Sequence, residues 1–188
     1  MINLAVFGSG QGSNAENLCA YFSKSSKINI VCVCTNKKTA YIVTRIKKFN
    51  LPIIYITKKI LTEFDSLKKT LKKYDVDYII LAGFLLKIPY KMINLYSNKI
   101  INIHPSLLPK YGGKGMYGKN IHKAVIKNKE KESGITIHFV NQNYDEGEVI
   151  FQKKCQLSSK ETVSSLEQKI HRLEFNYLPK KIEELVLI

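Results

Sequence analysis

The sequence predicts an α/β protein: a single Rossmann-like domain with a mostly parallel central sheet, helices on both faces, and a C-terminal antiparallel β-hairpin followed by a long helix. Short apolar runs alternate with segments of helical period through residues 1–100. These runs are almost continuously hydrophobic, as expected of strands that are covered on both faces. Beyond residue 130 the pattern changes to two strands and one long amphipathic segment.

The elements follow in order along the chain. Five strands are predicted from apolar runs at residues 2–8, 28–34, 53–56, 78–82 and 99–103. Helices are predicted between the first four of these strands at residues 15–23, 39–49 and 63–73. This alternation is typical of a parallel sheet whose helices pack on its faces.

The C-terminal half has a different pattern. A helix is predicted near residues 120–128, and two strands at 134–140 and 148–157 form a hairpin around a loop at 141–147. Residues 160–187 predict a long amphipathic helix. Pro179 lies inside it, so a kink or break is expected there.

Length and composition exclude several classes of protein. A chain of 188 residues with 45% hydrophobic residues can bury one core without disulfides or metals. No basic leader precedes the first strand, and the apolar run at 78–86 is too short to cross a bilayer. A cytoplasmic protein is expected. The four cysteines show no zinc-ligand spacing and are interpreted as small core residues.

The formal charge of +15 raises nucleic acid as a possible partner. The lysines are scattered as pairs, however, without the interleaved aromatic residues of a stacking platform. The sequence therefore favours a lysine-rich solvated surface over a dedicated nucleic-acid groove. Such a surface would also attract substrates that carry phosphate or carboxylate groups.

Residues 8–14 form a glycine-rich turn, Gly-Ser-Gly-Gln-Gly-Ser-Asn, between the first strand and the first helix. Glycines let a backbone come close to a ligand, and free N–H groups at a helix start can hold phosphate oxygens. The turn is not a P-loop, and Ser13 stands where a dinucleotide fingerprint has its third glycine. Two interpretations stay open: a phosphate cradle, or a tight turn in which Ser13 is the helix N-cap.

The second motif is Asn-Ile-His-Pro-Ser-Leu-Leu-Pro at residues 102–109. Asn102 and His104 are two residues apart at a strand end, so both side chains leave one face of the sheet at its carboxyl edge. An amide and an imidazole there can stabilise an oxyanion. The alternative is that His104 caps the strand or the following turn, although Pro105 and Pro109 favour an active-site loop.

Asp145 lies in the predicted hairpin loop, and His138 precedes it on the strand. A loop carboxylate can orient and charge a histidine, or accept a proton. Aspartate is also a common turn residue, so this loop alone leaves both interpretations open.

Taken together, residues 102–109 and 133–147 resemble the two-part signature of the N10-formyltetrahydrofolate-dependent formyltransferases. The turn at 8–14 and Leu-Ala-Gly-Phe at 81–84 resemble the purine-pathway branch of that family, and the similarity covers nearly the whole chain. The resemblance implies transfer of a formyl group from 10-formyltetrahydrofolate to the amine of glycinamide ribonucleotide. It further implies small-molecule partners, no metal, no membrane, and a monomer or homodimer.

The resemblance also implies roles for segments and residues. Residues 1–100 of the single domain 1–188 are the phosphate-binding half, and residues 101–188 are the folate-binding and catalytic half. The catalytic trio is Asn102, His104 and Asp145, supported by His138 and Ser106. The substrate phosphate site is Gly10, Gln11, Gly12, Ser13 and Asn14, and Glu174 lies near the substrate amine. The folate site is Leu85, Leu86, Lys87, Ile88, Asn102, Val140, Asn141, Tyr144 and Asp145.

Some features depart from the family pattern. Leu86 and Leu67 stand where relatives often carry arginine, with Lys68 or Lys69 as possible substitutes, and the stretch 112–118 also differs. Two sister enzymes are alternatives: methionyl-tRNA formyltransferase, which adds an RNA-binding domain, and formyltetrahydrofolate hydrolase, which adds a regulatory domain. A chain of 188 residues is expected to accommodate neither addition.

Overall fold

In the computed structural model, which describes residues 1–187, seven strands form one sheet. They are β1 (Ile2–Phe7), β2 (Ile28–Thr35), β3 (Ile53–Tyr55), β4 (Tyr78–Leu81), β5 (Ile100–His104), β6 (Glu132–Phe139) and β7 (Val149–Gln156). Their order across the sheet is β3-β2-β1-β4-β5-β6-β7. The first five strands are parallel, whereas β6 and β7 run antiparallel to their neighbours. The predicted fold class is confirmed.

The helices are α1 (Ser13–Phe22), α2 (Tyr41–Ile46), α3 (Lys58–Glu63), α4 (Asp65–Lys73), α5 (Tyr90–Leu95), α6 (Lys119–Lys127) and α7 (Val163–Val186). A short 3-10 helix, Lys47–Phe49, extends α2. The sequence did not predict α3 or α5. Each has only six residues and lacks an extension like the 3-10 helix that lengthens α2, so no helical period is visible in the sequence.

A kink or a break is expected at Pro179, and the break is wrong, because the 24-residue helix α7 runs through this position. Pro179 itself is buried, as are Leu178 before it and Ile182 after it. Burying an apolar side chain gains about 1.5–3 kcal/mol, so the apolar face on both sides of the proline can offset a cost of about 3 kcal/mol. None of the helices within residues 1–187 is long and apolar enough to cross a membrane.

The two faces of the sheet carry separate apolar cores, because side chains alternate along each strand. Leu4 and Val6 of β1 point into the first core, which α1, α2, α6 and α7 cover. Ala5 and Phe7 point into the second core, which α3, α4 and α5 cover. Helices on both faces explain why β1 is hydrophobic at nearly every position.

Three of the four cysteines, Cys19, Cys32 and Cys34, are buried in these cores. Burial raises the pKa of Cys19 to about 12, which keeps its thiol uncharged at neutral pH. Cys155 on β7 is only half-buried, and all four thiols are free. Within residues 1–187, no three His, Cys, Asp or Glu side chains are grouped so that they could hold a metal ion.

The strand order reverses beside β1, which has β2 on one side and β4 on the other. Open α/β sheets bind ligands at the carboxyl edge of such a switch point. Here the loops after β1 and β4 are tied together: the Ser9 N–H donates to the Gly83 carbonyl, and the Leu85 N–H donates to Ser9 Oγ, both at 3.0 Å. Because β5 ends at the same edge, its last residue, His104, lies near these loops.

Candidate active site

β5 brings Asn102 and His104 to the carboxyl edge on one face of the sheet. Their neighbours Ile101 and Ile103 pack into the first core on the opposite face, so the predicted alternation is observed. β6 pairs with β5 in a register that sets His138 directly opposite Asn102. The antiparallel partner strand therefore adds a second imidazole to the same region.

Asp145, in the loop between β6 and β7, reaches all three of these side chains. Its Oδ1 lies 3.4 Å from His104 Nδ1, 3.5 Å from Asn102 Nδ2 and 3.7 Å from His138 Nε2. These separations exceed the usual hydrogen-bond length of about 2.7–3.2 Å. Asn102 and His104 thus direct nitrogen atoms at one common point, which is occupied loosely by a carboxylate that is 11% exposed.

The hydrogen bonds around His138 define its tautomer. Its Nδ1 lies 2.8 Å from the carbonyl oxygen of Phe139, which can only accept, so Nδ1 carries a proton. Burial lowers the pKa of His138, which favours the neutral ring. The bare Nε2 then accepts from Asn102 Nδ2 at 3.0 Å. This bond fixes the Asn102 amide with its nitrogen, and not its oxygen, toward Asp145.

His104 has an acceptor at each ring nitrogen. Its Nε2 lies 2.8 Å from the carbonyl oxygen of Tyr111, and its Nδ1 faces Asp145. A neutral ring with its proton on Nε2 would direct a lone pair at the carboxylate, whereas an imidazolium donates to both acceptors. Each ring nitrogen thus already faces an acceptor of the protein, so Nδ1 can contact a ligand only where that ligand takes the place of Asp145.

The local backbone holds the Asp145 carboxylate in place. Asp145 has a φ of 58°, in the left-handed region where aspartate is enriched, and its Oδ2 accepts from the Gly113 N–H at 2.9 Å. Gly147 has no room for a side chain, since a Cβ there would lie 1.7 Å from the carbonyl oxygen of Phe139. The turn thus directs its carboxylate at the two histidines.

A cleft runs beside these groups. Its larger cavity, of about 440 Å³, is lined by Lys58, Lys87 and several apolar side chains, and it falls within the size range of small-molecule sites. A smaller cavity, of about 80 Å³, has Asn102, His138 and Asp145 in its wall. The two cavities are adjacent, since Leu86, Lys87, Ile88 and Asn143 line both of them.

Most residues expected at the folate site line the smaller cavity: Leu86, Lys87, Ile88, Asn102, Val140, Asn141, Tyr144 and Asp145. Leu85 and His104 line neither cavity, although His104 contacts Asp145, which lines the smaller one. Ser106 is fully buried, and its hydroxyl donates to the Lys110 carbonyl at 2.7 Å. Ser106 therefore shapes the turn after β5 and does not face the cleft.

The glycine-rich turn after β1 has two kinds of glycine. A Cβ on Gly12 would lie 2.6 Å from the Cα, Cβ and Cγ1 of Ile42, and Gly12 has a φ of 75°. Gly10 is exposed and has no atom within 4 Å of such a Cβ. Packing against α2 therefore explains Gly12, whereas open space for a ligand lies at Gly10. The N-cap of α1 is Gly12, so the alternative that Ser13 caps the helix is wrong.

Asn14 and Glu174 lie 160 positions apart in sequence, and the fold brings them into contact. Asn14 Nδ2 donates to Glu174 Oε2 at 2.9 Å, which joins α1 to α7. Burial raises the pKa of Glu174 to about 7, although the Asn14 hydrogen bond opposes this effect. Among residues 1–187, the Asn14 Oδ1 is one of a few buried side-chain oxygens without a hydrogen-bond partner. This oxygen is therefore free to accept a hydrogen bond from a ligand.

Comparison with known proteins identifies the family to which this arrangement belongs. The profile of the family described as formyl transferase matches residues 2–182. A phosphoribosylglycinamide formyltransferase of Bacillus subtilis is 32% identical over 99% of this chain and 95% of its own length. The chain belongs to the formyl transferase family.

Solved structures of the family have the same fold. The phosphoribosylglycinamide formyltransferase of Anaplasma phagocytophilum has a TM-score of 0.87 and 33% identity, over 96% of this chain and 85% of its own. That of Bacillus halodurans has a TM-score of 0.88 and 27% identity, over 98% and 95%. A chloroplastic relative from Vigna unguiculata is 38% identical over 97% of this chain, but the chain spans only 60% of that relative's length.

Leu67 and Leu86, the two positions where relatives often carry arginine, differ from each other in their surroundings. Leu67 is 1% exposed in the second core, so its own side chain packs inside the fold and does not face a ligand. Leu86 lines both cavities of the cleft. Its neighbour Lys87 lies 5.5 Å from the ring centre of Tyr144. A cationic side chain is thus present beside Leu86 although position 86 itself is apolar.

The sequence did not predict several wall residues of the cleft, among them Lys58, Thr62, Phe84 and Tyr90. Asn143 lies two positions before Asp145 in the predicted hairpin loop, so its loop already carried a signal. Lys58 begins α3 and Tyr90 begins α5, the two short helices that show no visible period. No local sequence feature distinguishes these two from other exposed residues.

Proposed function

We propose that this chain transfers the formyl group of 10-formyltetrahydrofolate to the amine of glycinamide ribonucleotide, a step of purine (IMP) biosynthesis. The observation that carries the proposal is the convergence of Asn102 and His104 on one oxygen of Asp145, beside the cleft at the carboxyl edge. The names of the relatives from Bacillus subtilis and Anaplasma phagocytophilum support the choice of acceptor.

The cleft has the chemistry that a formyl-folate requires. The smaller cavity combines apolar walls at Leu81, Ile88 and Val140 with polar groups near Asn141, which suits a flat ring system with hydrogen-bonding edges. The larger cavity carries Lys58 and Lys87, which suit a carboxylate-bearing tail. The folate supplies an activated formyl group, so the residues need only bind, orient and exchange protons.

The ribonucleotide would be bound at two points. Its phosphate would lie at the turn formed by residues 8–14, where Gly10 leaves open space and α1 directs its N-terminal N–H groups outward. Its glycinamide amine would lie near Glu174, whose half-buried carboxyl contacts Asn14. Because the pKa of Glu174 is about 7, a cationic amine nearby would favour the ionised carboxylate.

In the proposed mechanism, the amide N–H of Asn102 stabilises the negative oxygen that develops when an amine adds to a formyl carbon. The imidazolium of His104 supplies positive charge beside it. Asp145 keeps His104 charged through their contact and receives the proton of the amine, directly or through a water. The bond between the formyl carbon and N10 of the folate then breaks, and the same proton passes from Asp145 to N10, so that tetrahydrofolate leaves and the carboxylate is restored. Neutral His138 holds the Asn102 amide in the donating orientation.

We further propose a cytoplasmic monomer or homodimer with one domain, 1–188, divided into a phosphate-binding half (1–100) and a folate-binding and catalytic half (101–188). Its partners would be the two small molecules, without a specific nucleic acid or a metal.

A spectrophotometric assay with 10-formyltetrahydrofolate and glycinamide ribonucleotide tests the activity directly. Release of tetrahydrofolate should require the ribonucleotide, and the formylated ribonucleotide should accumulate in equal amount. Formyl-folate consumption at the same rate without any acceptor would instead identify a hydrolase. Transfer to methionyl-tRNA with no reaction of the ribonucleotide would identify the other sister activity.

A further inference from the structure

The carbonyl group of Tyr111 sets the orientation of the His104 ring. It accepts the hydrogen bond from His104 Nε2 at 2.8 Å, and a carbonyl can only accept, so that nitrogen must carry a proton. With Nε2 committed in this way, the opposite nitrogen, Nδ1, faces Asp145. The direction of the His104–Asp145 contact therefore depends on where the Tyr111 carbonyl lies.

Tyr111 holds that carbonyl in an unusual backbone conformation. Its φ is 59°, a left-handed value that is rare for a bulky side chain and persists only when surrounding contacts enforce it. The two residues that follow are Gly112 and Gly113, which have no side chain to hold this part of the loop. Hydrogen bonds from Ser106 to the Lys110 carbonyl and from the Gly113 N–H to Asp145 hold the backbone on either side, and the Tyr111 side chain adds contacts of its own.

The Tyr111 phenol is anchored to the far end of α6. Its hydroxyl donates to Glu130 Oε1 at 2.9 Å and accepts from Asn128 Nδ2 at 2.9 Å. Lys110 Nζ lies 3.1 Å and 3.3 Å from the two oxygens of Glu130 and keeps the carboxylate in position. Partial burial raises the pKa of Tyr111, so the phenol stays protonated and remains a donor.

We propose that Tyr111 is a positioning residue for His104, and that Glu130 acts through it. The phenol–carboxylate bond fixes the left-handed turn, the turn fixes the carbonyl, and the carbonyl fixes the imidazole against Asp145. Tyr111 does not line the cleft. The effect on catalysis rests on the proposed formyl transfer, whereas the effect on the His104 ring does not.

The test uses the full-length chain with Tyr111→Phe, which removes the hydroxyl and keeps the backbone. Glu130→Ala removes the acceptor, while Glu130→Gln keeps an acceptor without the charge. Tyr21→Phe is the matched control, because Tyr21 also donates to a glutamate, Glu183 at 2.7 Å, between α1 and α7. Each variant is measured for kcat, for KM with both substrates, and by ¹H–¹⁵N NMR of the histidine side chains.

Tyr111→Phe and Glu130→Ala should each lower kcat by roughly tenfold to a hundredfold, since small displacements of a catalytic group carry such losses. KM should change by less than about threefold, and the double variant should be no worse than either single one. Glu130→Gln should retain most of the activity. The His104 ring signals should shift in the two damaged variants, while those of His138 stay unchanged.

The proposal is overturned if Tyr111→Phe keeps kcat within about twofold of the parent, or if its His104 signals do not move. If Tyr111→Phe fails to fold, Glu130→Ala decides by the same two criteria, and Glu130→Gln serves as the conservative variant that should restore activity. An inactive parent protein would contradict the formyl transfer alone, because the His104 signals still report on the anchor. If the parent protein is active and the His104 signals of the variants do not move, the positioning role of Tyr111 is contradicted and formyl transfer is not.

Discussion

Replacing Gly12 by alanine should destabilise the fold, because the added methyl group has nowhere to go. It would lie 2.6 Å from three atoms of Ile42, including its Cα. Ile42 is fully buried, and its N–H donates to the Gly10 carbonyl at 3.1 Å, so neither its side chain nor its backbone can retreat freely. A left-handed φ costs a non-glycine residue about 1–2 kcal/mol, and overpacking costs about 1–3 kcal/mol. The free energy of unfolding should fall by about 2–5 kcal/mol.

Gly10→Ala is the matched control within the same turn. A methyl group there meets no atom within 4 Å, and the φ of Gly10 lies outside the left-handed range. The free energy of unfolding should stay within about 0.5 kcal/mol of the parent value. If this open position receives the substrate phosphate, Gly10→Ala should nevertheless raise KM for the ribonucleotide and leave KM for the folate unchanged.

Urea unfolding of both variants measures the first effect, and steady-state kinetics measure the second. Gly12→Ala should lower the urea midpoint with an unchanged m-value. Equal midpoints for the two variants would refute the steric argument about Ile42. An unchanged KM for the ribonucleotide in Gly10→Ala would refute the assignment of the phosphate to this turn, whatever the stability data show.

Three further predictions concern the site and the surface. Asp145→Asn keeps the shape of the side chain but removes its charge, so single-turnover formyl transfer should slow by roughly 10²-fold or more. His104→Ala should slow it by a similar factor, and the double variant should lose much less rate than the product of the two single losses. Near-normal turnover in Asp145→Asn would show that Asp145 is only a turn residue. Burial raises the pKa of Glu174 from 4.5 to about 7, so its carboxyl is protonated in both the folded and the unfolded state below pH 4.5, and stability is lost as the pH rises from 4.5 through 7. Since each tenfold change in proton affinity is worth about 1.4 kcal/mol, Glu174→Gln should match the stability of the parent in urea at pH 4 and exceed it by at most about 3.5 kcal/mol at pH 8. An equal difference at both pH values would contradict the burial argument. RNA binding driven by the +15 charge should be weak, non-specific and lost steeply with salt, and sequence-specific binding that survives physiological salt would overturn that view.

The fold could be predicted from the sequence wherever the elements are long enough to show a period. Strands such as β1 and β2 are recognisable because both faces are buried and nearly every residue is apolar. The six-residue helices α3 and α5 are too short to be recognised in this way. The break expected at Pro179 is wrong because the sequence shows the lost backbone donor but not the burial on both sides that maintains the helix.

The sequence alone determined the residue types of the site and the face on which Asn102 and His104 lie, because strand alternation is a local property. Only the tertiary structure decided how those residues are used. Three sets of contacts show this: the acceptors at both ring nitrogens of His104, the contact between Asn14 and Glu174, and the packing of Ile42 against Gly12. Each of them connects segments that are separated along the chain or depends on the path of a loop. Such contacts depend on distances between elements, and those distances are fixed only when the helices pack on the sheet.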